Sequence, residues 1–425
     1  MRKRWQVVTV LALAATLFLV PGASGVFAKQ VTIEYWQYYY ESKAKTMDEL
    51  IKIFEKQNPE IVVEHKTFPY EQFNQKVAIS VPAGKGPDVV NLYYGWAPKY
   101  VEAGYLQPLP VDEFSPRMIE NEFLPMVDAV KLNGKYWGLP TAVRALALFW
   151  NKDLFKEAGL DPNKPPRTWE QLQDYAVKMT KQDKGQLLQE GYAWNAGGQD
   201  NHVFVQVLLR QWGVNPFSPD NKKVLWNSKP GGYEAFEWWT NLATRYKVGE
   251  PEFMGDYRTA FISGKAAMMI DGSFALGTLK SKAKDINWGV TTLPVREANG
   301  VKSNFGSFWL NGLTVNARGE KREAAIKFLK FLTSPEVMKR WLTDVGELPA
   351  RQALAEDADL QKDPIYGPFL AGLKYAHATF FVDETSERQA LIDATNEVLL
   401  KGTNPRTALD QLVQAEQKVR DGYFK

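Results

Sequence analysis

Aromatic residues alternate with amides and carboxylates at four places in this chain where strand-like runs end. The run VTIEYW (31–36) leads through Trp36 into Tyr38, Tyr39, Tyr40 and Glu41. PDVVNL (87–92) leads into Tyr93, Tyr94, Gly95 and Trp96. GYAWN (191–195) delivers Trp194 and continues to Gln199, Asp200 and Asn201, and AAMMI (266–270) runs into Asp271, Gly272, Ser273 and Phe274. This mixture suits a polyol, because the C–H face of a sugar ring packs on an aromatic plane while each hydroxyl needs a donor or acceptor. An Arg adds a further signal. Arg144 sits in LPTAVRALALFWN (139–151), an otherwise apolar run, and a buried Arg needs a partner. Either a structural carboxylate such as Glu41 or Asp271 holds it, or its fork of donors reaches a ligand's hydroxyl or anionic group.

Catalytic signatures are mostly missing. His65, His202 and His377 are the only histidines and lie far apart, and HExxH, GxSxG and GxxxxGK[ST] do not occur. The chain has no Cys, so disulfides, thiolate metal sites, a Cys nucleophile and a lipid anchor on an N-terminal Cys are excluded. Paired carboxylates hydrolysing a glycoside remain open. No cofactor and no metal are expected. Most Trp residues serve packing: Trp150 reads as core, and Trp169, Trp238, Trp239 and Trp341 fall in helical patterns. Location singles out Trp36, Trp96, Trp194 and Trp309.

The elements that must position these residues read as two α/β lobes. After the first strand, Met47, Leu50, Ile51 and Phe54 recur at helical spacing until Asn58-Pro59. IVVEHK (61–66) is a second strand, followed by a helix that Pro82 and Gly84 end, and PDVVNL is a third. Strands alternating with helices imply a mostly parallel sheet flanked by helices. The pattern restarts with ALALFW (145–150), a helix opened by a Thr168/Gln171 capping box, the strands GYAWN and AAMMI, and helices around 201–212 and 231–246. Two more helices lie in 320–345, the second opened by Ser334-Pro335 and closed by Gly346, and Asn404-Pro405 opens the last. A chain of 425 residues exceeds one ordinary core, which also favours two lobes.

The N-terminal stretch concerns location. Arg2, Lys3 and Arg4 precede the apolar run VVTVLALAATLFLV (7–20), with small residues at Val26 and Ala28. That run is shorter than the roughly 18 residues of a membrane span, so it reads as a secretory signal, residues 1–28, cut after Ala28. The product is then periplasmic or secreted. The whole chain has 52 basic and 49 acidic residues, and Arg2, Lys3 and Arg4 account for the difference. Nucleic acid is therefore not an expected partner.

Taken together, FEKQNPEIVVE, AGKGPDVVNL, YVEAGYLQPLP, GKYWGLP, LALFWNKDLFKEAGLDP, FISGKAAMMIDGS, WGVTTLPV, REAAIKFLKFLTSPEVMKRW and GELPARQAL make the chain resemble the family 1 extracellular solute-binding proteins. These include the maltose-binding sugar-capturing subunits of ABC importers. The resemblance implies a monomer that binds a carbohydrate without catalysis and delivers it to transmembrane permease subunits. It implies lobes of 29–140 plus 293–345 and of 141–292 plus 346–425. Crossings between them would lie near Pro140 to Arg144, Leu293-Pro294 and Gly346 to Ala350. Arg144 matches a hinge position that reaches ligand but is commonly acidic or polar in maltose-binding relatives, so maltose specificity does not carry over. Tyr38 to Glu41, Tyr93 to Trp96 and Ser273-Phe274 match ligand-contacting loops, and Phe305, Ser307 and Trp309 follow the second crossing. Phe381 matches an aromatic contact near the tail. The abundance of aromatic candidates leans toward an oligosaccharide or glycoside, with an anionic solute such as a sugar acid or glycerol phosphate as the second reading.

Overall fold

The computed structural model describes residues 30–425, so the expected export segment lies outside the described residues. The first lobe is built on β1 (Val31–Tyr38), β2 (Ile61–Phe68) and β3 (Val89–Tyr93). β1 lies between the other two and runs parallel to both. Helix α1 (Glu41–Gln57) connects β1 to β2 and buries Met47, Leu50, Ile51 and Phe54 on one face, the stripe its spacing predicts. Asn58 ends it: the side-chain amide donates to the Phe54 carbonyl at 3.0 Å, and Pro59 cannot continue the helix. The helix Tyr70–Ser80 stops in a turn where Gly84 takes a left-handed φ of 68°.

Two long strands join the lobes. Leu139–Asn151 is buried along its whole length, which explains its nearly continuous apolar sequence. Its first half pairs antiparallel with Asn304–Thr314, and its second half with Met268–Gly272 and Trp288–Thr291. Asn304–Thr314 in turn pairs antiparallel with β3, placing Trp309 beside Tyr93. Asn304–Thr314 thus runs against both of its long neighbours, β3 on one side and Leu139–Asn151 on the other. Leu348-Pro349 adds a third passage, pairing with Val143 and Ala142. The three segments lie side by side at Ala142–Ala145, Gly306–Phe308 and Leu348-Pro349.

Beyond Leu293-Pro294, Val295 still bridges Thr168, Arg296 donates to Glu234 at 3.0 Å, and Asn299 donates to the Gln211 carbonyl at 3.0 Å. The long strand Asn304–Thr314 begins after these bonds. One sequence expectation needs correction: GYAWN is not a regular strand. Gly191 and Tyr192 give their N–H groups to the Val248 carbonyl, leaving one parallel bridge, Glu190 to Ala266. The helix caps follow the sequence. Thr168 accepts from Gln171, Ser334 from Val337 and Asn404 from Arg406. No helix among the described residues is long and apolar enough to cross a membrane.

Candidate functional site

The ends of β1 and β3 and the middle of the second long strand converge on one aromatic group in the first lobe. The Trp309 ring lies 4.2 Å from Tyr38, 5.4 Å from Trp96, 5.8 Å from Tyr93 and 6.3 Å from Tyr70, centre to centre. Trp96 meets Trp309 edge-on at 82°. Trp309 is only 5 % exposed, yet its indole N–H has no partner among the described residues. A buried donor in that state costs free energy unless something supplies an acceptor.

The second lobe closes on this group from two sides. Trp96 donates its indole N–H to Glu384 at 2.9 Å, and Lys99 pairs with Asp383 at 2.8 Å. The Phe381 ring lies 6.0 Å from Tyr94, whose own ring is 6.4 Å from Phe305 and stacked on Phe308. At the other end the Tyr40 hydroxyl bonds to the Thr278 hydroxyl at 2.8 Å, and its ring meets Phe274 edge-on. Tyr40, Glu41 and Thr278 line a groove of about 760 Å³ there.

Arg144 lies on the strand Leu139–Asn151, two register positions from Trp309 through its pairing with Ser307. Its Nε lies 3.7 Å from a Glu347 carboxylate oxygen, and its guanidinium lies over the Phe274 ring at 5.0 Å. Glu347 also accepts from Lys43 at 2.7 Å and from the Trp341 indole at 2.8 Å. Burial opposes the Glu347 charge, but Lys43 and Arg144 outweigh it and hold its pKa below the ordinary carboxylate value. Burial lowers the Lys43 pKa, with Glu347 opposing that shift. The structural carboxylate expected for Arg144 is therefore neither Glu41 nor Asp271. Glu41 is exposed on the first turn of α1, and Asp271 is committed to Arg258 by bonds of 2.7 and 3.0 Å. Arg258 lies over Phe274 as well, at 5.3 Å.

Other predicted residues divide clearly. Trp194 is packing: its N–H donates to the Trp239 carbonyl at 3.0 Å, and its ring stacks on Trp239 inside the second lobe. Trp36 gives its N–H to Glu34 in the same strand and packs on Phe68. Tyr39 is 55 % exposed at the end of β1. Ser307 pairs in register with Arg144, and Ser273 is fully buried with a hydroxyl lacking a partner among the described residues. The Asp200 side chain lies outside the described residues. Sequence reasoning missed Lys43, Tyr70, Glu347 and Glu384. Only Glu347 carried a signal, within GELPARQAL at the third crossing. Among the described residues, no three His, Asp or Glu side chains gather as a metal site.

The two-lobed α/β fold is that of solute-binding proteins of the periplasmic type. The chain belongs to the bacterial extracellular solute-binding proteins, whose family model matches residues 49–368. The maltotriose-binding protein of Pyrococcus abyssi (strain GE5 / Orsay) is 27 % identical over 323 residues, covering 75 % of this chain. This chain spans 66 % of that relative, just under two thirds. The sn-glycerol-3-phosphate-binding periplasmic protein UgpB of Escherichia coli O1:K1 / APEC is 27 % identical, covering 96 % of this chain and 95 % of its own. An ABC transporter solute-binding protein from Thermotoga lettingae TMO, solved with alpha-D-tagatose, has the same fold. Its TM-score is 0.82 at 23 % identity, covering 92 % of this chain and 99 % of that one.

Proposed function

We propose that this protein captures a carbohydrate between its lobes and delivers it unaltered to the transmembrane permease of an ABC importer. The observation that carries this reading is the closed aromatic group around Trp309, with an indole donor awaiting an acceptor. Sugar hydroxyls supply acceptors and donors, and the rings of Trp309, Tyr38 and Trp96 supply apolar faces. Arg144 and Ser273 add polar groups, and Tyr40 flanks them. In this reading the lobes exchange chain at Pro140 to Arg144, Asn304 to Phe308 and Gly346 to Ala350, and hinge motion about those segments admits the ligand. The protein acts as a monomer outside the cytoplasm after loss of residues 1–28.

A second reading, capture of an anionic solute, draws on Arg144 and on the glycerol-phosphate-binding relative. One titration separates them. Intrinsic Trp fluorescence of ligand-stripped protein is followed against maltotriose, longer neutral oligosaccharides and sn-glycerol 3-phosphate, and each mixture is then assayed for cleavage. Saturable binding of an intact neutral sugar is the expected result. Saturation by the phosphate alone moves the assignment to anionic solutes, and cleavage of a bound glycoside replaces transport with hydrolysis.

A further inference from the structure

We infer that Glu384 is a positioning residue for the ligand site. It is a carboxylate of the second lobe that sets the Trp96 ring of the first, so the aromatic wall around Trp309 is complete only when the lobes are closed. The inference rests on the cleft being the ligand site.

The two partners come from opposite sides. Trp96 follows β3, whereas Glu384 opens the helix Glu384–Lys401, which packs against the second-lobe helices Pro230–Thr244 and Pro405–Tyr423. Glu384 is 1 % exposed and both of its oxygens are engaged. One accepts from Trp96 at 2.9 Å, and the other from Arg388 at 3.0 Å, one turn along the helix. Arg388 and the helix N-terminus both favour the ionised carboxylate, which makes it a strong acceptor. Burial alone would depress the Arg388 pKa, but the Glu384 charge raises it above its ordinary value.

A second feature of the same loop points the same way. A Cβ at Gly95 would come within 2.7 Å of the Phe381 ring and 2.7 Å of the Tyr93 ring, so glycine allows the second lobe to close here. The neighbouring pair Lys99–Asp383 is exposed on its Lys side and adds little on its own. Trp96 stands edge-on to Trp309, so turning it removes one side of the Trp309 surface. When the lobes part, water replaces Glu384 as the acceptor and the Trp96 ring loses its fixed setting. Closure and ligand binding therefore favour each other.

The test uses the indole N–H signals of ¹⁵N-labelled protein, with Trp96 and Trp309 assigned by their loss in Trp96→Phe and Trp309→Phe. Tyr40→Cys with Thr278→Cys, bridged by a short bis-maleimide, holds the lobes shut without ligand. The chain has no other Cys, so the bridge is unique. In this linked protein the Trp96 indole proton should resonate downfield, as for a carboxylate acceptor. Glu384→Gln should keep most of that shift. Glu384→Ala should lose it and move the Trp309 signal too, with an unchanged far-UV spectrum showing that the fold survives. An unmoved Trp96 signal in Glu384→Ala overturns the inference. With maltotriose and sn-glycerol 3-phosphate as probes, Glu384→Ala should bind about tenfold more weakly than the unmodified chain, and Glu384→Gln within about threefold. Equal affinity in Glu384→Ala also overturns it. If neither probe binds, the ligand assignment is at fault, and the linked-protein spectra still decide the role of Glu384.

Discussion

Two aromatic groups, one in each lobe, use the same residue types to opposite ends. In the second lobe Trp194 stacks on Trp239 at 5.0 Å and gives its N–H to a backbone carbonyl of that same residue. Ring and polar handle are both satisfied within one lobe, so the group is core. In the first lobe Trp309 packs among Tyr38, Tyr93 and Trp96, but its own N–H is open and Trp96's is satisfied only from across the cleft. An open N–H is not sufficient by itself. Trp226 also lacks a partner among the described residues, yet it is fully enclosed beside His202 within the second lobe. What distinguishes the Trp309 group is that its member Trp96 takes its acceptor from Glu384, on a helix of the other lobe.

The harshest way to break this contrast is through a buried ion pair. Glu347→Ala removes the carboxylate that Lys43 and Arg144 share, leaving buried cations without it. We expect a loss of about 3–5 kcal/mol in urea unfolding at pH 7, with Glu347→Gln between the two. The pH dependence follows from the same group. Its folded pKa is depressed, so its contribution is present above the ordinary 4.5 and is lost as pH falls through the folded value. Unmodified protein should lose stability on acidification below pH 4.5, and Glu347→Ala should lack that part of the decline.

Replacing one indole by a phenyl ring in each lobe sharpens the contrast, because the lost volume is common to both variants and the lost N–H is not. Trp194→Phe leaves the Trp239 carbonyl without its donor inside the core and should cost about 1–3 kcal/mol in unfolding, with ligand affinity unchanged. Trp309→Phe removes a donor that has no partner among the described residues, so it loses only the packing of the larger ring and should cost about 1 kcal/mol less than Trp194→Phe. Its affinity should fall by about 1 kcal/mol, roughly fivefold by calorimetric titration. If the two variants behave alike, the contrast is gone.

Much of this was readable in the sequence because it depends on local spacing. The βα order of the first lobe, the stripe on α1 and the caps at Thr168, Ser334 and Asn404 all follow from neighbours within a turn or two. The loops after β1 and β3 also carried their chemistry openly. What sequence could not resolve was pairing between distant residues. Trp36, Trp96, Trp194 and Trp309 looked equivalent, since what separates them is the acceptor each N–H meets. Arg144 reads from the sequence as needing either a carboxylate or a ligand, but Glu347 lies about 200 residues away and nothing local connects them. The bonds that Val295, Arg296 and Asn299 make to Thr168, Glu234 and Gln211 are likewise long-range, and nothing in the local sequence announces them.

The most direct test of the central claim is to titrate ¹⁵N-labelled protein with the ligand that saturates its fluorescence and follow the Trp indole signals individually. Trp309 and Trp96 should move together to a saturating end point while Trp194 stays where it is. Saturation that moves Trp194, or that leaves Trp309 still, would place the ligand somewhere other than the cleft described here.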